Sequence, residues 1–454
     1  MNTFTVRLSA RAAARRRTPV LALLSLLQFL IAIDVTVVNV ALPAIGARFD
    51  AEPAALSWVV TGYTLVGGGL LLLGGRLTDL LGRRRMFLLG AALFALASLA
   101  AGLAPNLPTL VAARFAQGAG EALASPAAMS LIALLYPSPE ERAKALGIWG
   151  AISASGLVVG VLLSGALVQL LDWRWIFGVN VPLTATVLAL TPVLVRPDGP
   201  RPARSGRLDL PGATLLTAGP LALVYGVLRG SAAALLAGAV LLAAFVLVEA
   251  RSRNPLVPLA FFAHRARALA NAVTVPLSAG LSGTFFLATL YLQEVIELSP
   301  LQAGLAYLPF CAALLLAVSQ VARLIRALGV TYTALLGLLL TAAGLGWLAR
   351  LPDHGGFLAD VLPGMLGVAA GMGIGLVALQ HAALSDVTED DAGTASGVQR
   401  SVDQLGGSLG LAVLVGAALG GGTPQGADYR TAFGWAALGV LAAAVAVAAL
   451  GRRK

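Results

Sequence analysis

Apolar stretches of about 18 or more residues follow one another from Val20 to Leu450, broken by short polar segments. About 20 such residues cross the hydrocarbon core of a bilayer, where every backbone polar group must be paired within the protein. Runs this long, rich in Leu and Ala, meet that demand as helices and not as the roughly ten-residue alternating strands of a barrel. The pattern predicts fourteen helices, at roughly 18–42, 56–78, 86–104, 107–135, 145–170, 174–195, 211–229, 232–250, 267–293, 301–322, 329–349, 357–381, 393–418 and 431–450. Two Arg-containing, Pro-rich linkers, 196–210 and 251–265, bracket the seventh and eighth of these. The predicted architecture is an all-α integral membrane protein: a six-helix bundle (1–195), linkers with two extra helices (196–265), and a second six-helix bundle (266–454).

Composition agrees with a bilayer as solvent: 58% of the 454 residues are hydrophobic and 11% charged, against about a quarter charged in soluble domains. The net charge of +10 does not indicate nucleic acid, because the basic residues sit in short loops between apolar runs rather than on a soluble face. Those loops set the orientation, since cytoplasmic segments are enriched in Lys and Arg. With the N-terminus inside, inner segments hold 23 of the 31 basic residues, outer loops hold five, and Arg76, Arg114 and Arg400 fall within helices. Both termini are therefore expected in the cytoplasm, in an inner (plasma) membrane. The acidic segment Asp386 to Asp391 lies on the same side, where carboxylates suit the start of the thirteenth helix. The N-terminal arginines and first apolar run read as a membrane helix and not a cleaved signal, because no small-residue cleavage site follows. The single cysteine, Cys311, and the scattered His264, His354 and His381 make no metal site, and no cofactor is expected. No GxxxxGK[ST] phosphate loop is present, which leaves an ion gradient as the energy source.

Polar residues inside membrane helices are costly and so carry the candidate chemistry. Asp34, near the middle of the first helix, must be paired, solvated or protonated. It reads as a proton-binding site, or alternatively as a static anchor between helices 1 and 4. Thr36 and Asn39 follow as hydrogen-bonding glue, Asn39 also as a substrate-pocket candidate. On helix 4, Arg114, Gln117 and Glu121 share one face at spacings of three and four. Arg114 needs a counter-charge, from Asp34 or Glu121, and an arginine beside an acid tunes its pKa. Gln117 is a second pocket candidate. Glu121 reads either as a second proton site or an attractor for a cationic substrate, or as a partner of Arg114 or Gln117. Gly75, Asp79, Gly82, Arg83 and Arg84 form a tight loop after helix 2 that Gly82 permits. Gly156, Gly160, Ser164 and Gly165 recur every four or so positions on helix 5, so another helix can approach closely. Arg400 and Asp403, one turn apart, are expected to pair with each other.

IDVTVVNVALP at 33–43, GRLTDLLGRRR at 75–85 and RFAQGAG at 114–120 are similar to signatures of the fourteen-helix drug:proton antiporters of the major facilitator superfamily. So are WRWIFGVNVP at 173–182, NPLVPL at 254–259, SPLQAGLAYLP at 299–309 and GTASGVQRSVDQLGG at 393–407. The resemblance covers nearly the whole chain in order. It implies two pseudo-symmetric bundles with substrate held between them, export of drugs, antibiotics or hydrophobic and cationic metabolites by proton antiport, and action as a monomer. Arg114 corresponds to the family's motif arginine. Asp79 is implied to dock on the opposite half when the transporter closes to the cytoplasm, making 75–84 a conformational latch. Two departures stand out: Glu121 replaces a usually small residue, and Val161 stands where the helix 5 signature has a proline. The alternatives are an uptake porter or uncoupled facilitator of the same fold, and a polytopic membrane enzyme, for which no catalytic cluster is visible.

Overall fold

The computed structural model describes residues 3–198, 208–385, 387, 392–418 and 426–450, with side chains described from Arg17 onward except at 392, 418 and 450. Thirteen described helical spans are long and apolar enough to cross a membrane: α1 (Arg17–Phe49), α2 (Pro53–Leu81), α3 (Arg83–Gly102), α4 (Leu107–Leu135), α5 (Pro139–Leu170), α6 (Trp175–Leu194), α7 (Leu210–Arg229), α8 (Ala232–Arg251), α9 (Arg265–Val295), α10 (Pro300–Leu328), α11 (Val330–Leu348), α12 (Phe357–Ala383) and, last in the chain, α14 (Gly426–Ala449). Between the last two lies α13 (Ala392–Ala418), 27 residues long and so about 40 Å, enough to cross. The order of fourteen matches the hydrophobic pattern. Several helices outrun it: the first begins at Thr3, α5 starts at Pro139 and α10 continues to Leu328. Hydropathy registers only the turns in hydrocarbon, whereas a helix continues into water wherever its ends are capped.

Those caps are local and legible. Pro53, Pro139 and Pro300 sit in the first turn of α2, α5 and α10, where a missing N–H costs nothing. The Asn106 side chain accepts from Thr109 N at 2.9 Å, and Ser299 with Gln302 forms a full capping box. The turn between α2 and α3 hinges on Gly82, whose φ of 116° excludes a side chain.

The apolar run of α13 is interrupted by Gln399, Arg400, Asp403 and Gln404, which make contacts with protein. It packs between α2, α7 and α9. Gln399 donates to Thr274 Oγ1 at 2.9 Å, and Ser278 donates to Asp403. The expected Arg400–Asp403 pair does not form; Arg400 turns to Glu121 of α4 instead. The cause is position: Asp403 faces α9 and is half-buried there with a hydroxyl donor, while Arg400 points across to α4.

Within the first six helices, α2 and α3 pack on α4, and α1 packs on α5. Within the last six, α11 packs on α12 and α14, and α9 on α12, α13 and α14. Helices α7 and α8 pair with each other, and α7 lies against α2 and α13. The buried core of the last six helices is continuous with α1 residues Val37, Leu42 and Ile45. The core around Leu24, Phe87, Phe94 and Trp149, nearer the Arg83–Arg85 loop, is separate. We call the end carrying that loop the basic end. The two six-helix groups are thus fused at the opposite end and along α2–α13.

Close approach depends on bare glycines. A Cβ on Gly118 would overlap Tyr63 O and lie 3.0 Å from Gly67 N, and one on Gly74 would overlap Ala122 O. Backbone cannot yield as a side chain can, so Gly118→Ala should cost about 1–3 kcal/mol. The check is a lowered melting temperature of the detergent-solubilised protein; an unchanged one would show that α2 and α4 are less tightly apposed.

Candidate functional site

Asp34 and Arg114 meet in the interior of the first six helices, with side chains 0% and 1% exposed. Arg114 Nη1 donates to Asp34 Oδ2, and Asp34 Oδ1 accepts from Gln117 Nε2 and Asn180 Nδ2, each at 3.0 Å. Arg114 does not depend on the carboxylate alone. Its Nε donates to Val59 O at 2.8 Å, its Nη1 to Gln117 Oε1 at 2.9 Å, and its guanidinium lies 4.3 Å from the Tyr63 ring centroid. Gln117 also donates to Ser98 Oγ at 2.8 Å. Helices α1, α2, α3, α4 and α6 thus converge on one carboxylate. These polar contacts offset the cost of burying the pair, which otherwise exceeds the Coulombic gain.

This assembly unites the sequence candidates Asp34, Arg114 and Gln117. Gln117 belongs to the carboxylate's surroundings, its amide fully engaged. Asn180, Ser98 and Tyr63 were not singled out from the sequence; Asn180 carries the one available signal, a lone amide inside an apolar run on α6. Thr36 and Asn39 do not tie helices together as expected. Thr36 Oγ1 donates to Ile33 O at 3.1 Å and Asn39 Nδ2 to Val35 O at 3.0 Å, both carbonyls of α1 itself. Such back-bonding to the preceding turn satisfies a donor without a partner helix. Asn39 Oδ1 is left buried without a partner among the described residues.

Glu121 stands apart from this cluster. It is 1% exposed and pairs with neither Arg114 nor Gln117, since those are engaged by Asp34. Instead Glu121 Oε1 accepts from Arg400 Nη2 at 3.0 Å and Gln404 Nε2 at 3.1 Å, both on α13. Next along the same seam, Thr64 of α2 hydrogen-bonds Ser408 of α13. Glu121 therefore spans the two six-helix groups.

The helix 5 glycine motif faces two ways. A Cβ on Gly156 would meet Ala32 Cβ and Phe29 O at 2.9 Å, and one on Gly160 would overlap Thr36 Oγ1 and meet Ile33 O at 3.0 Å. Ser164 Oγ donates to Val37 O at 2.5 Å. These three pack on α1. Gly165 instead abuts α10, 2.6 Å from Pro300 O by its ideal Cβ, and Gly304 of α10 abuts Val161 O at 2.6 Å. Nearby, Leu301 N donates to Gln169 Oε1 at 3.2 Å and Gln293 Nε2 to Val40 O at 2.9 Å. These contacts lie at the end opposite the basic loop.

At the basic end, Asp198 accepts from Arg83 N and Arg84 N, each at 3.2 Å, and Arg84 Nη2 donates to Pro192 O at 3.2 Å. An acid at a helix N-terminus is favourable, and it ties the start of α3 to the segment after α6. Arg76 donates to Pro255 O at 3.2 Å in the linker after α8. Gly75 stands 4.0 Å from Pro126 Cβ by its ideal Cβ. Asp79 is exposed and makes no hydrogen bond or ion pair among the described residues. The acidic residues Asp386 and Glu389 to Asp391 lie outside the described residues. Among the described residues, no group of three His, Cys, Asp or Glu could hold a metal.

A sequence profile of the Major Facilitator Superfamily matches residues 24–411, and the chain belongs to that family: it is a multi-pass membrane transporter and not an enzyme. It is 50% identical over 452 residues to a lincomycin resistance protein of Streptomyces lincolnensis, covering 97% of this chain and 92% of that protein. It is 39% identical to the puromycin resistance protein pur8 of Streptomyces alboniger, over 89% and 82% of the two chains. A cephamycin export protein of Amycolatopsis lactamdurans is 36% identical over 95% and 91%. Among solved structures, the nucleoside transporter NupG shares the fold with a TM-score of 0.69 at 11% identity, over 95% of this chain and 99% of that one.

Proposed function

We propose that the protein is a proton-driven exporter of small, largely apolar or cationic antibiotics or metabolites. In this reading it sits in the cytoplasmic membrane with both termini inside and works as a monomer. The relatives are named for resistance to lincomycin and puromycin and for cephamycin export, and the present chain takes up the same task. Substrate is held near the midplane between groups 1–195 and 266–454, with Asn39 Oδ1 a free acceptor for it, and access alternates by rocking.

One observation carries the coupling: a carboxylate wholly removed from water, balanced by an arginine that has other partners. Binding a proton cancels the charge of Asp34. Arg114 then keeps Val59 O, Gln117 and the Tyr63 ring as partners but has lost its counter-ion, and the cost of that unbalanced buried charge favours a state in which the pair opens. The basic-end loop acts on the same cycle, with Asp79 docking on the opposite half when that end closes. Each pH unit supplies about 1.4 kcal/mol per proton, and 100 mV about 2.3 kcal/mol per net charge moved.

The test is efflux of ethidium, and of lincomycin, from loaded cells carrying wild type or Asp34→Asn, with and without a protonophore. Efflux should require both Asp34 and the gradient. Efflux insensitive to either change would refute proton coupling.

A further inference from the structure

Among the described residues, Glu121 is the one acid in the middle of the first six membrane helices that touches the other half of the molecule. One of its oxygens, Oε1, takes both donors from α13, Arg400 Nη2 and Gln404 Nε2. The other, Oε2, is buried without a hydrogen-bond partner, and so is Gln404 Oε1. Both unpartnered acceptors lie beside Gly67 of α2: a Cβ there would be 3.4 Å from Glu121 Oε2 and 3.3 Å from Gln404 Oε1. The hydroxyl of Tyr63, one turn before Gly67, is also buried and lies on the Glu121 side. A buried acceptor left unpaired costs about 1–3 kcal/mol, and a proton on Oε2 would turn one of these acceptors into a donor.

We propose that Glu121 is a second proton-binding carboxylate, whose ionised form clasps α4 to α13 through Arg400 and whose protonation at Oε2 releases that clasp. The charge balance follows directly. Ionised Glu121 neutralises Arg400, whose side chain is 36% exposed and therefore partly hydrated already. Protonated Glu121 is neutral and can donate to an orphaned acceptor, and Arg400 is free to turn to water. Release costs Arg400 little, unlike Arg114, which is 1% exposed. Position also separates the two acids by task. Asp34 is held only by residues of the first six helices, whereas Glu121 is held by the second half, so only Glu121 converts a proton directly into a change of contact between halves.

The charged and titratable groups around Glu121 are few. α2 contributes Tyr63, which lies within electrostatic reach of both Glu121 and Asp34. α1 contributes Asp34, α4 itself Arg114, and α13 Arg400 and Asp403. The Tyr63 ring lies against Arg114 and its hydroxyl lies on the Glu121 side.

This inference rests on the proton-coupled reading above, but its test reads helix contact and not transport, so the two can fail separately. In a Cys311→Ala background, Thr64→Cys and Ser408→Cys place two thiols across the α2–α13 seam, where the native hydroxyls touch. Disulfide formation is followed between about pH 8 and pH 5. The control is the rate at which the single variants Thr64→Cys and Ser408→Cys react with a small soluble disulfide; normalising to it removes the intrinsic pH dependence of thiol chemistry. The normalised yield should fall as the pH is lowered. It should lose its pH dependence in Glu121→Gln. In Arg400→Gln, which removes the cationic half of the clasp, the normalised yield should likewise lose its pH dependence, and Arg400→Lys should restore it. A pH-independent yield in the parent pair, or a pH dependence that survives Glu121→Gln, would overturn the proposal. Each variant is first shown to be monodisperse with the parental melting temperature. Where Glu121→Gln fails that requirement, Arg400→Gln decides in its place: a pH dependence like the parent's there overturns the proposal equally.

Discussion

Asp34→Asn and Arg114→Gln should each destabilise the protein by about 3–5 kcal/mol, while the double variant loses far less than their sum. Each single change leaves one member of a buried pair without its counterpart, and removing one partner of such a pair costs that much. The residues are 0% and 1% exposed, so water cannot take the missing place. In the double variant two neutral amides occupy the site, and Gln117, Asn180 and Val59 O remain as hydrogen-bond partners. Unfolding midpoints of the four purified proteins in one detergent give the cycle. A coupling term near zero would show that the two charges are stabilised separately by their neutral neighbours. Transport divides the same four proteins differently. The double variant regains stability but not proton-driven efflux, because it has no group to titrate at this position. Stability and coupling are thus separable at one site, and a double variant that transported against a gradient would remove Asp34 from the mechanism.

The fold was readable because hydrophobic length is a nearly sufficient signal in a bilayer. Each helix registered separately in the pattern, including α13, where the polar residues Arg400, Asp403 and Gln404 interrupt the apolar run. The first member of the site was equally legible, since an acid at the centre of a membrane helix admits few explanations. Its partner Arg114 could be narrowed to two carboxylates by need of a counter-charge. What could not be read is which helix lies next to which. Arg400 and Asp403 are one turn apart and of opposite sign, so local spacing favours their pairing. Tertiary position overrides that preference by turning Asp403 to Ser278 on α9 and Arg400 to Glu121 on α4. Asn180 reaches Asp34 across 146 positions of sequence, and no periodicity carries information over that distance. The role of Asp198 was hidden for the same reason: it acts on the start of α3 from a linker more than a hundred positions downstream.

Gly165→Val should leave the six-helix groups folded yet move the protein toward a state in which α5 and α10 have parted. Gly156, Gly160 and Ser164 recur every four positions on α5, whereas Gly165, one position further on, faces another surface. Gly156, Gly160 and Ser164 lie on α1, inside the first group, while Gly165 lies on Pro300 and Leu301 of α10. A side chain at Gly160 would strike α1, with the same cost in every state of the transporter. A side chain at Gly165 would strike backbone atoms of α10 at 2.6 Å and 2.9 Å only while the two helices are together. Overpacking costs about 1–3 kcal/mol, and a bias of that size shifts a two-state equilibrium by about 5–150-fold. A cysteine at Ala303, fully buried beside Gly304, reports on it in the Cys311→Ala background. Its labelling by a membrane-impermeant maleimide should accelerate in Gly165→Val by a factor in that range. Gly160→Val should instead lower the melting temperature and leave the labelling rate of the folded fraction unchanged. The same response from both variants would mean that the motif acts as a single packing face, and that the contact at Gly165 does not govern which end of the molecule is sealed.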